Sequence, residues 1–129
     1  MDNDRIKKFI GEMQSFLKEE QIITDREGMS HFCYDATEIR FMPDVVILPY
    51  ATEEVSRIMK IAYAMDLPIT PQGGRTGLSG GALPVRGGIV LSLLRMNRIL
   101  EIDRKNLQIV VEPGVIAADL QDALKEHNL

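Results

Sequence analysis

The chain has 129 residues, with 15 Lys and Arg against 19 Asp and Glu, a net charge of −4, and a 45% hydrophobic, 26% charged composition. This is a globular make-up for one domain or a piece of one, long enough to bury roughly two-thirds of its unfolded surface. The single cysteine, Cys33, the acidic start Met-Asp-Asn-Asp and a longest apolar run of only Ile61 to Met65 exclude an internal disulfide framework, a zinc ribbon and a bilayer-spanning helix, and give no secretory signal; a cytoplasmic setting is expected.

In chain order, residues 4–20 read as an amphipathic helix, with Ile6, Phe9, Ile10, Met13, Phe16 and Leu17 on one face and Asp2, Asn3 and Asp4 capping its start. A second short helix is expected from Asp25 to about Cys33, followed by an irregular stretch, 34–43. Val45 to Leu48 is an apolar, β-branched run closed by Pro49, a buried strand. Thr52 stands where an N-cap belongs, with Glu53 and Glu54 in the first turn, and Val55, Ile58, Met59, Ala62 and Met65 continue at helical spacing. Leu67 to Thr70 returns as a strand before Pro71. Strand, helix and strand in that order predict a right-handed βαβ unit with two parallel strands. Ile89–Leu93, Ile99–Asp103 and Leu107–Glu112 read as further strands, the last two joined by a turn at Arg104-Lys105-Asn106, and Ile116 to about His127 reads as a helix with Leu120, Ala123 and Leu124 inward.

Between these elements lies the least ordinary stretch. Residues 71–88 read PQGGRTGLSGGALPVRGG and hold seven of the chain's ten glycines. Lacking any amphipathic period, it is a loop. Gly73, Gly74, Gly77, Gly80 and Gly81 free the backbone for close approach to a ligand, Thr76 and Ser79 add hydroxyls, and Arg75 adds a planar cation that either pairs with phosphate oxygens or points to solvent; from glycine content alone a flexible surface loop between strands reads equally well. Neither a Walker A sequence nor G-x-G-x-x-G is present, and Pro84 stands where a Rossmann helix would begin. Residues 75–105 carry a net +4 and the remainder −8; a basic middle in an acidic chain suits a small anion, but by itself this distribution reads as solvated side chains. Overall acidity and the lack of Trp argue against a nucleic-acid surface.

Pro71 to Ala82 closely resembles the pyrophosphate loop of FAD-linked oxidases of the vanillyl-alcohol-oxidase type. The flanks are similar too: Val45 to Pro49 with Thr52 to Val55, Ile89 to Leu93 through Met96-Asn97-Arg98-Ile99, and Glu112 to Val115. Within that family the combination is most similar to the group of glycolate oxidase catalytic subunits and D-lactate dehydrogenases, over about residues 34–129. The resemblance implies an α+β fold: an N-terminal FAD-binding subdomain with a βαβ unit and an antiparallel strand meander, flanked by helices. It divides the chain into an N-terminal helical segment, 1–42, and the first part of an FAD-binding domain, 43–129.

It further implies FAD held by Pro71, Gln72, Gly73, Gly74, Arg75, Thr76, Gly77, Leu78 and Ser79, with Gly114 at a close-approach turn. The chemistry implied is two-electron oxidation of a small 2-hydroxy acid to a 2-oxo acid. Relatives that attach FAD covalently use a histidine in this loop. Thr76 takes that place here and neither His31 nor His127 lies in the loop, so noncovalent FAD is expected. Family members are longer, so the chain is expected to be an N-terminal fragment without catalytic residues of its own. It should bind FAD weakly and self-associate through apolar surface as a homo-oligomer. The competing reading is a stand-alone nucleotide- or phosphate-binding module without catalysis. No metal site is expected, Cys33 reads as a packed thiol, and Asp35 and Glu38 as members of a polar loop.

Overall fold

The computed structural model describes residues 3–129. Its centre is a four-stranded sheet of β1 (Ile22–Ile23), β2 (Val45–Ile47), β3 (Ile69–Gln72) and β4 (Ile89–Ser92), in the order β1-β2-β4-β3. β4 runs parallel to both β2 and β3, while β1 pairs antiparallel with β2. The strands on either side of the first long helix are therefore not neighbours: β4, from beyond the glycine loop, lies between them. The α+β class stands as expected, with three parallel strands in place of two.

Alternate side chains of β2 and β4 serve two cores, as the two-residue strand period requires. Val45, Ile47, Ile89 and Leu91 face Ile6, Phe9, Met13, Ile58, Ala62 and Leu67, from α1 (Asn3–Gln14), α3 (Thr52–Ala64) and the turn after it. Val46, Leu48 and Val90 face Ile23, Met29 and Phe32 on the other side. With both faces covered, these strands read as unbroken apolar runs. Residues on both sides of position 42 share this sheet and core.

Several boundaries differ from expectation for visible reasons. α1 ends at Gln14 rather than near residue 20: the Ser15 hydroxyl donates back to the Glu12 carbonyl at 2.6 Å, and the Ser15 and Phe16 amides shift to three-residue bonds. Leu17 stays in the core all the same. Asp2, assigned a capping role, lies outside the described residues. A single 3₁₀ turn at Glu19–Gln21 leads into β1, too short for any sequence pattern to reveal. α2 (Arg26–Ser30) stops short of Cys33 and is capped by the Asp25 carboxylate, which accepts from the Gly28 amide at 2.7 Å. The N-cap of α3 is Ala51, not Thr52; its first turn is braced by Glu54, whose carboxylate accepts from the Tyr50 amide at 2.6 Å and from the buried Gln21 amide at 3.0 Å.

β3 continues through Pro71, where a strand break was expected. It is the edge of the sheet, and an edge strand tolerates a residue without an N–H. The remaining strands, β5 (Ile99–Asp103) and β6 (Gln108–Val111), form a separate antiparallel hairpin. Its turn is held by Asp103, whose Oδ1 accepts from the Lys105 and Asn106 amides, both at 3.0 Å. α4 (Ala117–Lys125) follows, with Leu120, Ala123 and Leu124 half-buried as expected. Among the described residues no helix is long and apolar enough to cross a membrane.

Candidate functional site

The glycine loop leaves the end of β3 and returns to the sheet at Gly88. The two ends are treated very differently by the chain. Gly88 has φ +75°, and a Cβ there would lie 2.4 Å from the Pro68 carbonyl oxygen. Its amide donates to Asp44 Oδ2 at 2.6 Å and its carbonyl accepts from the Asp44 amide at 2.8 Å. The return of the loop is thus locked to the sheet.

At the other end, Gln72 is 2% exposed. Its side-chain amide donates to the Ala82 carbonyl at 2.6 Å and to the Phe32 carbonyl at 2.8 Å, tying both stems of the loop to the segment after α2. Of the residues expected to hold the cofactor, Pro71 and Gln72 therefore belong to β3, and the Gln72 side chain is turned into the protein.

Between the stems the loop is open. Thr76, Gly77, Leu78 and Ser79 are exposed, and nothing lies within 4 Å of the Cβ position of Gly77 or Gly81. Among the described residues, no backbone N–H from Gly73 through Ala82 donates a hydrogen bond to another residue. Donors left unused in a run, on a backbone half of whose residues are glycine, form a surface for an anion.

Arg75 lies within this run. It is a non-glycine residue in the left-handed region, φ +59°, a conformation that costs an L-residue about 1–2 kcal/mol. Its side chain does not simply reach into solvent: the guanidinium lies 5.0 Å from the ring centre of Phe32 and 5.4 Å from that of Tyr34.

The second glycine turn, Pro113-Gly114, adjoins the first. A Cβ on Gly73 would lie 3.7 Å from the Pro113 carbonyl oxygen, and one on Gly74 3.9 Å from the Ile116 side chain. Gly114 itself faces protein backbone, since its Cβ would lie 2.3 Å from the Leu93 carbonyl oxygen and 2.7 Å from that of Met96, and its amide donates to Met96 at 2.7 Å.

Glu112 fixes this turn. Its Oε1 accepts from Arg98 Nη2 at 2.7 Å and Nε at 3.1 Å, and its Oε2 accepts from the Arg98 amide at 2.8 Å. These bonds from the Arg98 side chain and amide hold the Glu112 carboxyl below the usual carboxylate range, and the same pairing raises Arg98. Sequence reading missed this brace and the part played by Phe32 and Tyr34. An aromatic pair beside an acid is a visible signal, but nothing local says which loop it will meet.

The arrangement fits the pyrophosphate of a dinucleotide: unused backbone amides and a glycine stretch with room above it. The comparisons with known proteins agree. Residues 43–129 match the family described as FAD binding domain, and the chain belongs to that family. The glycolate oxidase subunit GlcD of Bacillus subtilis is 46% identical over 103 residues, covering 79% of this chain, and the D-lactate dehydrogenase of Anaerostipes hadrus is 35% identical over 98% of it. The chain spans 22% and 28% of the lengths of these two relatives.

Among solved structures, a 4-ethylphenol oxidase from Gulosibacter chungangensis superimposes with a TM-score of 0.86 at 31% identity, over 99% of this chain and 26% of that one. p-Cresol methylhydroxylase superimposes with a TM-score of 0.89 over 100% of this chain and 26% of that one, a likeness of fold at 24% identity. The resemblance drawn from residues 71–82 and their flanks is borne out.

Proposed function

We propose that this chain is the pyrophosphate-binding portion of an FAD-dependent oxidoreductase that oxidises a small 2-hydroxy acid, of the glycolate or D-lactate type, to the 2-oxo acid. The observation that carries the reading is the run of unused N–H groups from Gly73 through Ala82, on the segment whose sequence matches the FAD-binding family. In this reading the backbone of Gly73, Gly74, Arg75, Thr76, Gly77, Leu78 and Ser79 holds the pyrophosphate oxygens, the Thr76 and Ser79 hydroxyls supplement it, and Pro71 and Gln72 set the loop's direction. Gly114 keeps the neighbouring turn close enough to wall the site. Bound there, FAD would supply the two-electron acceptor that the oxidation needs. Attachment is noncovalent, because the loop offers no histidine.

The protein works in the cytoplasm. Copies associate through the apolar side chains left exposed on the hairpin, Leu100, Leu107 and Val110, and on Ile116 before α4. Sedimentation equilibrium tests that association; a monomer at all concentrations refutes it.

Titration of the 129-residue chain with FAD, followed by amide NMR and flavin fluorescence, tests the site. Shifts are expected at residues 73–79, with affinity weaker than micromolar because this chain alone covers little of the flavin ring. Unmoved loop amides at millimolar FAD would refute the reading, and sub-micromolar affinity would refute the division of the site. The substrate class is tested in the polypeptide that carries this domain: glycolate or D-lactate should bleach its flavin absorbance anaerobically.

A further inference from the structure

Arg75 carries two features that a loop of this composition did not need. It adopts φ +59° where a glycine would be at ease, in a stretch already rich in glycine. It also buries Nε and Nη1 with no hydrogen-bond partner, although a guanidinium is always charged and rich in donors. Strain and buried unpaired donors persist only where surrounding structure imposes them, and they gather at functional sites.

The surroundings are specific. Asp35 is 3% exposed; its Oδ1 accepts from the Thr37 amide at 2.9 Å and from the Thr37 hydroxyl, while its Oδ2 is buried without a partner. Gln72 gives its amide to the Phe32 and Ala82 carbonyls and leaves Oε1 buried without a partner. Arg75 stacks on Phe32 and Tyr34. Arg75, with two unpaired donors, and Gln72, with one unpaired acceptor, therefore meet at one residue: the guanidinium lies on the Phe32 ring and the Gln72 amide on the Phe32 carbonyl. Buried donors and acceptors on side chains that share a neighbour are commonly satisfied by a small shift of the side chains or by a bridging water. Because Nε and Nη1 are buried, they face the protein rather than an arriving ligand.

We propose that Arg75 is a positioning residue: it latches the glycine loop onto Phe32 and Tyr34, with Gln72 as polar partner, so that residues 32–34 hold the loop in its pyrophosphate-receiving shape. This rests on the FAD reading above. It makes the segment before β2 a working part of the cofactor site, and it assigns the phosphate-facing donors to the backbone rather than to the guanidinium.

The test is NMR of the ¹⁵N-labelled 129-residue chain with inorganic pyrophosphate as probe. In the unsubstituted chain the Arg75 Nε–H resonance should be protected from exchange, with contacts to the Phe32 ring, and amides 73–79 should shift on titration. Arg75→Gly, which suits φ +59° and so keeps the fold, should weaken pyrophosphate about tenfold, the scale of losing charged hydrogen bonds. Arg75→Lys should weaken it equally, since charge without the planar fork does not restore the latch. Phe32→Leu should weaken it too, and the double substitution with Arg75→Gly should be no weaker than Arg75→Gly alone.

Full affinity in Arg75→Lys, additive effects in the double substitution, or an unprotected Nε–H would each overturn the latch while leaving the FAD reading intact, provided amides 73–79 respond. Unresponsive loop amides in the unsubstituted chain would overturn both.

Discussion

Two sets of glycines in this chain do opposite things. Gly88 and Gly114 have no room: added Cβ atoms would stand 2.4 Å from the Pro68 carbonyl oxygen and 2.3 Å from that of Leu93. Gly77 and Gly81 have nothing within 4 Å. The first pair is glycine because the protein's own backbone fills the space; around the second the space is open. Composition alone shows only an excess of glycine. The geometry separates glycines that close the fold from glycines that keep a surface bare, and the bare ones fall where the backbone donors are unused.

The comparison breaks most visibly at the closed pair. Gly88→Ala adds a clash with backbone to a left-handed φ of +75°, and should destabilise by about 3 kcal/mol or more. Gly114→Ala meets two carbonyl oxygens and one carbonyl carbon, without the φ penalty, and should cost about 2–3 kcal/mol. Urea unfolding followed by circular dichroism measures both. A loss below about 0.5 kcal/mol at either site, the level of an ordinary surface change, would show that the backbones part easily.

Gln72 comes next. Gln72→Ala strands the Phe32 and Ala82 carbonyls that its side chain now serves, a cost of about 1–3 kcal/mol. Hydrogen exchange should locate the damage at both loop stems; a uniform loss across the sheet would instead mark Gln72 as simple core filling.

Glu112 acts through pH. Its carboxyl is held below the usual range by the Arg98 side-chain hydrogen bonds and the Arg98 amide, while the unfolded chain keeps the ordinary value. The folded state thus holds fewer protons in that window, so the Glu112 contribution is complete above the ordinary carboxylate range and fades as pH falls through the lowered folded value. Thermal melts between pH 6 and 3 should show a shallower acid decline in Glu112→Gln than in the unsubstituted chain. Parallel declines would show that the Arg98 pair does not couple folding to protons.

Much of this was legible in the order of residues. The β2–α3–β3 order, the hairpin turn and the glycine loop follow from local pattern, because each depends on neighbours within a few positions. What was hidden is what long-range pairing decides. β4 enters between β2 and β3, where its apolar side chains serve both cores. β1 has two residues, too few for any period. Pro71 is tolerated in a strand because that strand is an edge. At the site, the glycine loop and its anion chemistry were readable from residue type. The inward turn of Gln72 and the seat of Arg75 on Phe32 and Tyr34 were not, since they join residues about forty positions apart in sequence.

The open pair gives the smallest effect on folding and the sharpest comparison. Gly77 carries no positive φ and has free space around its Cβ position. Alanine there fits the native backbone and narrows the unfolded ensemble, so Gly77→Ala should leave stability unchanged or raise it by about 0.5 kcal/mol. The same methyl stands on the surface that the unused amides present. If that surface receives a pyrophosphate, the substitution should weaken inorganic pyrophosphate severalfold while the melting temperature holds or rises. Gly81→Ala, also in open space but beyond the Gly73–Ser79 span assigned to the ligand, should spare both. A Gly77→Ala chain that is stable and binds as well as the unsubstituted one would mean that open space at this loop is only a surface. The distinction between the two sets of glycines would then describe packing and not function.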